Sequence, residues 1–175
     1  MSRQLLILRH AKSAWDTGSP SDFERPLAKR GIREAPRVGY WMKAHDLHPG
    51  YVVSSPALRA KQTTCMVARE LNIPENKIHW DERIYKADVP LLLRVISACP
   101  ALVDTLLLVG HNPGLENLLV FLCGERIAKP AEGKHFPTAA LAQLKLSGDW
   151  DCLEAEAQAG QLISLIRPKD IKKRK

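Results

Sequence analysis

Short aliphatic runs alternate with longer stretches of helical periodicity along this 175-residue chain, and three segments share one grammar. Residues 5–8, "LLIL", lead into Arg9 and His10, with a helical pattern following over 32–44. Residues 51–53 lead into "SSPALRAKQT" and a predicted helix over 57–71. Residues 105–109 lead into "GHNPG" and a predicted helix over 115–122. A further helix is expected over 89–98, ahead of the third run. Uninterrupted aliphatic runs fit strands covered on both faces, and their alternation with helices predicts a layered α/β fold. After Pro137 the pattern changes: "AALAQLKL" and "LISLI" read as two more strands around a turn containing Trp150. Neither a repeat nor a linker interrupts the chain, so residues 1–166 are expected to form a single domain.

Each of the three polar turns passes from a strand to a helix. In open α/β sheets such turns gather at the carboxyl ends of the strands, where they can line one crevice. In the second turn Ser55 suits a helix cap and Pro56 the first helical position. Arg59 would then fall in the first helical turn, where the helix N-terminus favours anions. Singly, each residue has a plain structural reading: an exposed arginine on a helix face, or a hydrogen-bonded histidine for His111. Together they ask for an anion, because gathering unpaired cations in a buried crevice is costly. The stretch 14–30, rich in Pro, Ser and Asp and without periodicity, has the length of a functional flap.

Composition adds bounds. Apolar residues make up 45% and charged residues 26%, as in globular chains. No window approaches the roughly 20 apolar residues of a membrane span, and the first residues lack the apolar core and cleavage site of a secretory signal. A cytoplasmic location is therefore expected. Cys65, Cys99, Cys123 and Cys152 lie far apart without metal-ligand spacing and read as reduced, small hydrophobes. The net charge of +7 is uneven: residues 167–175 hold six Lys/Arg and one Asp, leaving 20 basic and 18 acidic residues in the body. "RPKDIKKRK" reads as a solvated basic C-terminal tail rather than a basic face, which argues against nucleic acid as a partner.

The reaction follows by elimination. Neither Cys65 nor Cys123 has an arginine at Cys-x5-Arg spacing, and no D-x-D-x-T, P-loop or G-x-G-x-x-G is present. No His/Asp/Glu cluster has metal spacing, so no metal and no cofactor are expected. A histidine nucleophile remains: a neutral imidazole nitrogen can attack phosphorus while arginines hold the phosphoryl oxygens.

With Arg9, His10, Arg59 and His111 marked, the chain resembles the histidine phosphatase superfamily. "LRHAKSAWD" stands where that family has a strand-end Arg-His-Gly, "SSPALRAKQT" matches its second arginine segment, and "VGHNPG" its second histidine. "ERPLAKRG", "SSPALRA" and the short length look like the SixA-type branch, the phosphohistidine phosphatases. The resemblance implies a three-layer α/β/α sandwich with a mostly parallel central sheet. It implies that His10 is the nucleophile, that Arg9 and Arg59 hold the phosphoryl group, that His111 donates to it, and that Arg25 sits at the pocket edge. Lys12 and Ser13, beside the nucleophile, and Asn112 are candidate substrate contacts.

Two positions depart from the family pattern. Ala11 replaces the motif's glycine, which is tolerable wherever φ is negative. The proton-donor Glu of mutase and phosphomonoesterase relatives falls in register on Lys86, with Glu82 and Asp88 nearby but off register. Expelling an alkoxide needs a proton, and general acid catalysis is worth about 10²–10⁴-fold. A phosphohistidine leaves as imidazole, with a conjugate-acid pKa of about 6.5. The expected function is a metal-independent phosphatase that forms a phosphohistidine intermediate and acts on phosphohistidine in a partner protein. The competing readings are a small-molecule phosphomonoesterase using Glu82 or Asp88 as acid, and a non-catalytic domain that binds phosphorylated ligands or RNA. His45, His48 and His79 read as surface residues, His135 as a candidate substrate contact, and the four Trp residues as packing.

Overall fold

The computed structural model describes residues 2–124, 136–153 and 157–172. Six strands form one sheet: Arg3–Arg9 (β1), Tyr51–Ser54 (β2), Ile78–Trp80 (β3), Thr105–Gly110 (β4), Leu141–Leu146 (β5) and Gly160–Ile166 (β6). Their order is β3-β2-β4-β1-β5-β6. The first four run parallel, β5 runs against β1, and β6 against β5. Only β5 therefore opposes the rest, and the sheet is mostly parallel, as expected.

Among the described residues four helices cover it: Lys29–Ala44 (α1), Leu58–Glu70 (α2), Val89–Ser97 (α3) and Gly114–Cys123 (α4). The run in β1 shows why the layers form. Leu5, Leu6, Ile7 and Leu8 are all fully buried, and successive side chains point to opposite faces. Leu5 and Ile7 join a cluster with Leu92 and Ile96 of α3 and Leu115 and Leu118 of α4. Leu6 and Leu8 join another with Ala35, Val38 and Met42 of α1 and Val67 of α2. Burying each such side chain contributes about 1.5–3 kcal/mol, and a run apolar at every position supplies both cores at once. The fold is the three-layer α/β/α sandwich.

Several expectations need correction. Helix α1 begins at Lys29, three residues before the apolar periodicity starts, and Ala28 at its N-cap makes no side-chain capping bond. Helix α2 begins at Leu58 with Ala57 at its N-cap, so Ser55 is not that cap. The edge strand β3 was not foreseen, because three residues carry no period. The basic tail is not wholly solvated: Pro168–Asp170 forms a helical turn, Ile171 is buried among the α1 side of the core, and Arg37 Nη2 donates to the carbonyls of Pro168 (2.9 Å) and Ile171. All four cysteines are free, but only Cys99 is buried and Cys152 is exposed. Among the tryptophans, Trp150 is buried whereas Trp15 is 72% exposed, with the Arg25 guanidinium 3.9 Å from its ring centre. His135 lies outside the described residues.

At the amino-terminal end of β1, Arg3 is buried and donates to the carbonyls of Val103 and Ala101 and to the carboxylates of Asp104 and Asp149. Trp150 Nε1 donates to the same Val103 carbonyl at 2.9 Å. This knot ties the β5–β6 connection to the segment before β4.

Candidate active site

The strand register brings the three polar turns to one level. Arg9 at the end of β1 pairs with Gly110 at the end of β4, and Ser54 at the end of β2 pairs with Val109. The next residues, His10, Ser55 and His111, therefore emerge side by side over three adjacent strands. All three are buried. The rings of His10 and His111 have centroids 5.1 Å apart.

His10 has its two ring nitrogens in different surroundings. Nδ1 lies 2.7 Å from the Ala11 carbonyl, which can only accept, so Nδ1 carries the proton. Nε2 is then a lone-pair nitrogen, and the Arg59 Nε–H approaches it at 3.4 Å. Burial pushes the His10 pKa down to about 4, and Arg59, Arg9 and Arg25 push the same way against the Ala11 hydrogen bond. At neutral pH the ring is an uncharged base with Nε2 available. Ala11 lies outside the positive-φ region, so the motif's missing glycine causes no backbone strain, and its N–H donates to Thr63 Oγ1 at 3.0 Å.

His111 is also neutral. Burial, reinforced by His10 and Arg59, lowers its pKa to about 3. Its Nε2 sits 2.8 Å from Ser55 Oγ, which accepts the Ala57 N–H at 3.2 Å. If the hydroxyl donates to Nε2, all three groups are satisfied and the ring proton falls on Nδ1, a buried nitrogen with no partner. Ser55 thus bonds both His111 and the Ala57 N–H at the entry to α2, without being the helix's N-cap.

The guanidiniums surround this pair. Arg59 is 5% exposed, and its Nη1 donates to the Asp22 carbonyl (2.7 Å) while Nη2 donates to Asp22 Oδ2 (3.0 Å). The same Oδ2 accepts the Tyr85 hydroxyl at 2.8 Å, and Oδ1 accepts from Arg25 Nε (3.3 Å) and Nη2 (3.1 Å). The tyrosine hydroxyl, followed by Arg59 and Arg25, holds the Asp22 pKa at about 2. Arg9 donates from Nη1 to the Phe136 carbonyl at 3.0 Å, leaving its buried Nε without a partner. Desolvation lowers the Arg9 pKa, and Glu116 works against it.

A cleft of about 450 Å³ opens beside these groups, between Asp22, Arg59 and Tyr85 on one side and His111, Asn112 and Asn117 on the other. His10 does not line it directly. It is 6% exposed and lies behind Arg59 and His111, so a ligand reaching Nε2 must take over donors now held by Asp22.

The sequence-based candidates divide accordingly. His10, Arg59, His111 and Arg25 converge through the contacts above, and Arg9 adjoins them. Ser13 accepts from Arg25 Nη1 and acts through it. Asn112 donates from Nδ2 to Glu116 Oε2 (3.0 Å) and to the Phe136 carbonyl (2.9 Å), and its buried Oδ1 has no partner. Lys12 is exposed and does not line the cleft. Asp88 lines the cleft but caps α3 by accepting the Leu91 N–H at 3.0 Å, whereas Glu82 is exposed and outside the lining. Lys86, at φ 55°, also lines the cleft. Sequence reading missed Asp22 and Tyr85. Asp22 carries no local signal in an aperiodic loop, although the Arg25 three residues on was a hint.

Comparison with known proteins identifies the family. The model of the histidine phosphatase superfamily (branch 1) matches residues 5–85. The chain is 33% identical over 168 residues to an uncharacterized protein of Mycobacterium leprae, covering 93% of this chain and 100% of that one. It is 32% identical over 145 residues to the phosphohistidine phosphatase SixA of Escherichia coli, covering 82% and 85% of the two chains. The solved structure of the protein histidine phosphatase SixA complexed with tungstate superposes with a TM-score of 0.78 at 28% identity, over 97% of this chain and 99% of that one. The chain belongs to the histidine phosphatase superfamily and is SixA-like within it.

Proposed function

We propose that this phosphatase removes the phosphoryl group from phosphohistidine in a partner protein, by way of a phosphorylated His10. The His10 Nε2 lone pair attacks phosphorus, and the substrate's P–N bond breaks with its electron pair passing to the departing imidazole, which takes a proton from water. Phospho-His10 is a phosphoryl-imidazolium whose Nδ1–H still bonds Ala11. Water then attacks the same phosphorus, the Nε2–P bond returns its electrons to the ring, and inorganic phosphate leaves with the water's proton passing to solvent. Arg9, Arg59 and Arg25 bind the phosphoryl oxygens, and the unpartnered His111 Nδ1–H donates to one of them. The related SixA structure is a complex with tungstate, an oxyanion of the kind these donors would bind.

One observation carries the choice of substrate. Among the described residues lining the cleft the carboxylates are Asp22, held ionised with its pKa at about 2, and Asp88, whose Oδ1 caps a helix. Neither offers the poised acid that an alkoxide leaving group needs, whereas imidazole departs without one. Asp88 nonetheless faces the cleft, and its second oxygen supports a secondary reading as an ester phosphatase.

The test is a paired assay on a phosphohistidine protein and a sugar phosphate, with the enzyme-bound phosphate trapped. Acid-labile, base-stable phosphate mapping to His10, with faster turnover of the phosphohistidine protein, is expected. Equal or faster ester hydrolysis would overturn the substrate assignment, and a His10→Ala variant that still turned over would overturn the mechanism.

A further inference from the structure

We infer that the flank made by α1 and the C-terminal segment docked on it is the surface that receives an acidic face of the phosphoprotein substrate. This inference rests on the phosphoprotein reading above. Residues 29–44 and 167–172 hold eight Lys/Arg and two acidic residues, a net +6 of the chain's +7. One of those two acids, Glu34, is buried and paired with Arg30 Nε at 2.8 Å. Lys29, Arg30, Arg33, Lys43, Lys169 and Lys172 are all exposed.

The docking of the tail makes this a surface rather than two separate charge runs. Arg37 grips the Pro168 and Ile171 carbonyls, and the buried Ile171 side chain anchors the segment against the α1 side of the core. The flank also adjoins the site. The Ala28 N–H donates to the Lys12 carbonyl at 2.8 Å, and Gly31 packs against the Lys12 backbone so closely that a Cβ there would overlap it. The first turn of α1 therefore packs on Lys12, two positions from His10, which sets the flank beside the nucleophile's loop, where the surface flanking a docked phosphohistidine can reach it. Ile32, 46% exposed among these cations, suits a protein face, which can cover it, better than a phosphodiester backbone.

Charges at an interface rim act mainly on encounter rate and salt dependence. The test uses the full chain and a triple variant, Lys29→Glu with Arg33→Glu and Lys169→Glu. The probes are phosphoramidate itself and two proteins phosphorylated with it on histidine: an acidic one and a basic histone. The variant should lose about tenfold or more in kcat/KM on the acidic phosphoprotein and most of its salt dependence there, with a smaller loss when alanine replaces the same residues. Phosphoramidate hydrolysis should stay within about twofold, which also reports that the variant is folded. Unchanged turnover of the acidic phosphoprotein would refute the docking surface. A wild-type enzyme that hydrolyses phosphoramidate but neither phosphoprotein would instead overturn the phosphoprotein reading, and the surface with it. An RNA oligonucleotide that binds the wild type and not the variant, with phosphoprotein turnover unaffected, would assign the flank to nucleic acid.

Discussion

The chemistry of the site depends on which nitrogen of each histidine holds a proton. The Ala11 carbonyl fixes that choice for His10, and the Ser55 hydroxyl, when it donates to Nε2, keeps the His111 proton on Nδ1. Removing the Ser55 hydroxyl leaves the His111 proton free to move to Nε2, away from the phosphoryl position. A Ser55→Ala variant should therefore lose about tenfold or more in kcat with little change in KM, as steady-state kinetics on phosphoramidate would read. The same two rings make stability depend on pH. His10 at about 4 and His111 at about 3 both lie below their unfolded value of about 6.5. As pH falls through this interval the unfolded chain binds protons that the folded chain refuses, so the contribution present above pH ~6.5 is lost toward pH 4 and then pH 3. Asp22 acts in the same direction lower down, its contribution present above about pH 4 and lost toward pH 2. Urea midpoints should fall steadily between pH 7 and pH 4.5, and His10→Gln should flatten part of that slope. Midpoints independent of pH would contradict the burial of neutral imidazoles.

At the scale of elements, the segment before α3 and the turn into α4 line most of the cleft, and the loop before α1 adds Asp22. Asp22 occupies donors of Arg25 and Arg59 that a phosphoryl group must use. Its carboxylate is 45% exposed, so the ion pair with Arg59 is worth only about 0.2–1 kcal/mol. Asp22→Asn should tighten tungstate inhibition by up to about fivefold, and weaker inhibition would show that the carboxylate mainly aligns the arginines. On the opposite wall, Gly114 opens α4 where a Cβ would collide with the Ala87 carbonyl oxygen. Gly114→Ala should cost about 1–3 kcal/mol in denaturant unfolding and displace the Tyr85–Asp88 side of the cleft. The elements legible in the sequence were those with a period or an apolar run: β1, β2, β4, β5, β6 and the helices α1 to α4. The helix ends were legible to within a residue except at the start of α1, where Lys29 to Gly31 precede the apolar period and no capping side chain marks the entry. The candidate cations and histidines were legible because strand-to-helix turns must meet at one sheet edge. Asp22 and Tyr85 were not, since long-range contacts alone bring them to Arg59.

Across the whole molecule, the strand order puts β1, β2 and β4 side by side, so one edge of the sheet gathers every converging group. The other edge carries the Arg3 knot. Between Arg3 and Arg9 the seven residues of β1 span about 20 Å, at roughly 3.3 Å per residue. A Leu107→Ala change in the central β4, where the side chain is 1% exposed, should cost about 2–5 kcal/mol and depress activity only through unfolding, as a melting curve beside a low-temperature assay would show. The knot also has a practical corollary. Because Arg3 clamps the start of β1 at the pole away from His10, a tether joined ahead of Ser2 emerges far from the cleft and from the α1 flank's first turn. Enzyme immobilised through such a tether would keep its mouth turned toward solution, open even to bulky phosphoproteins.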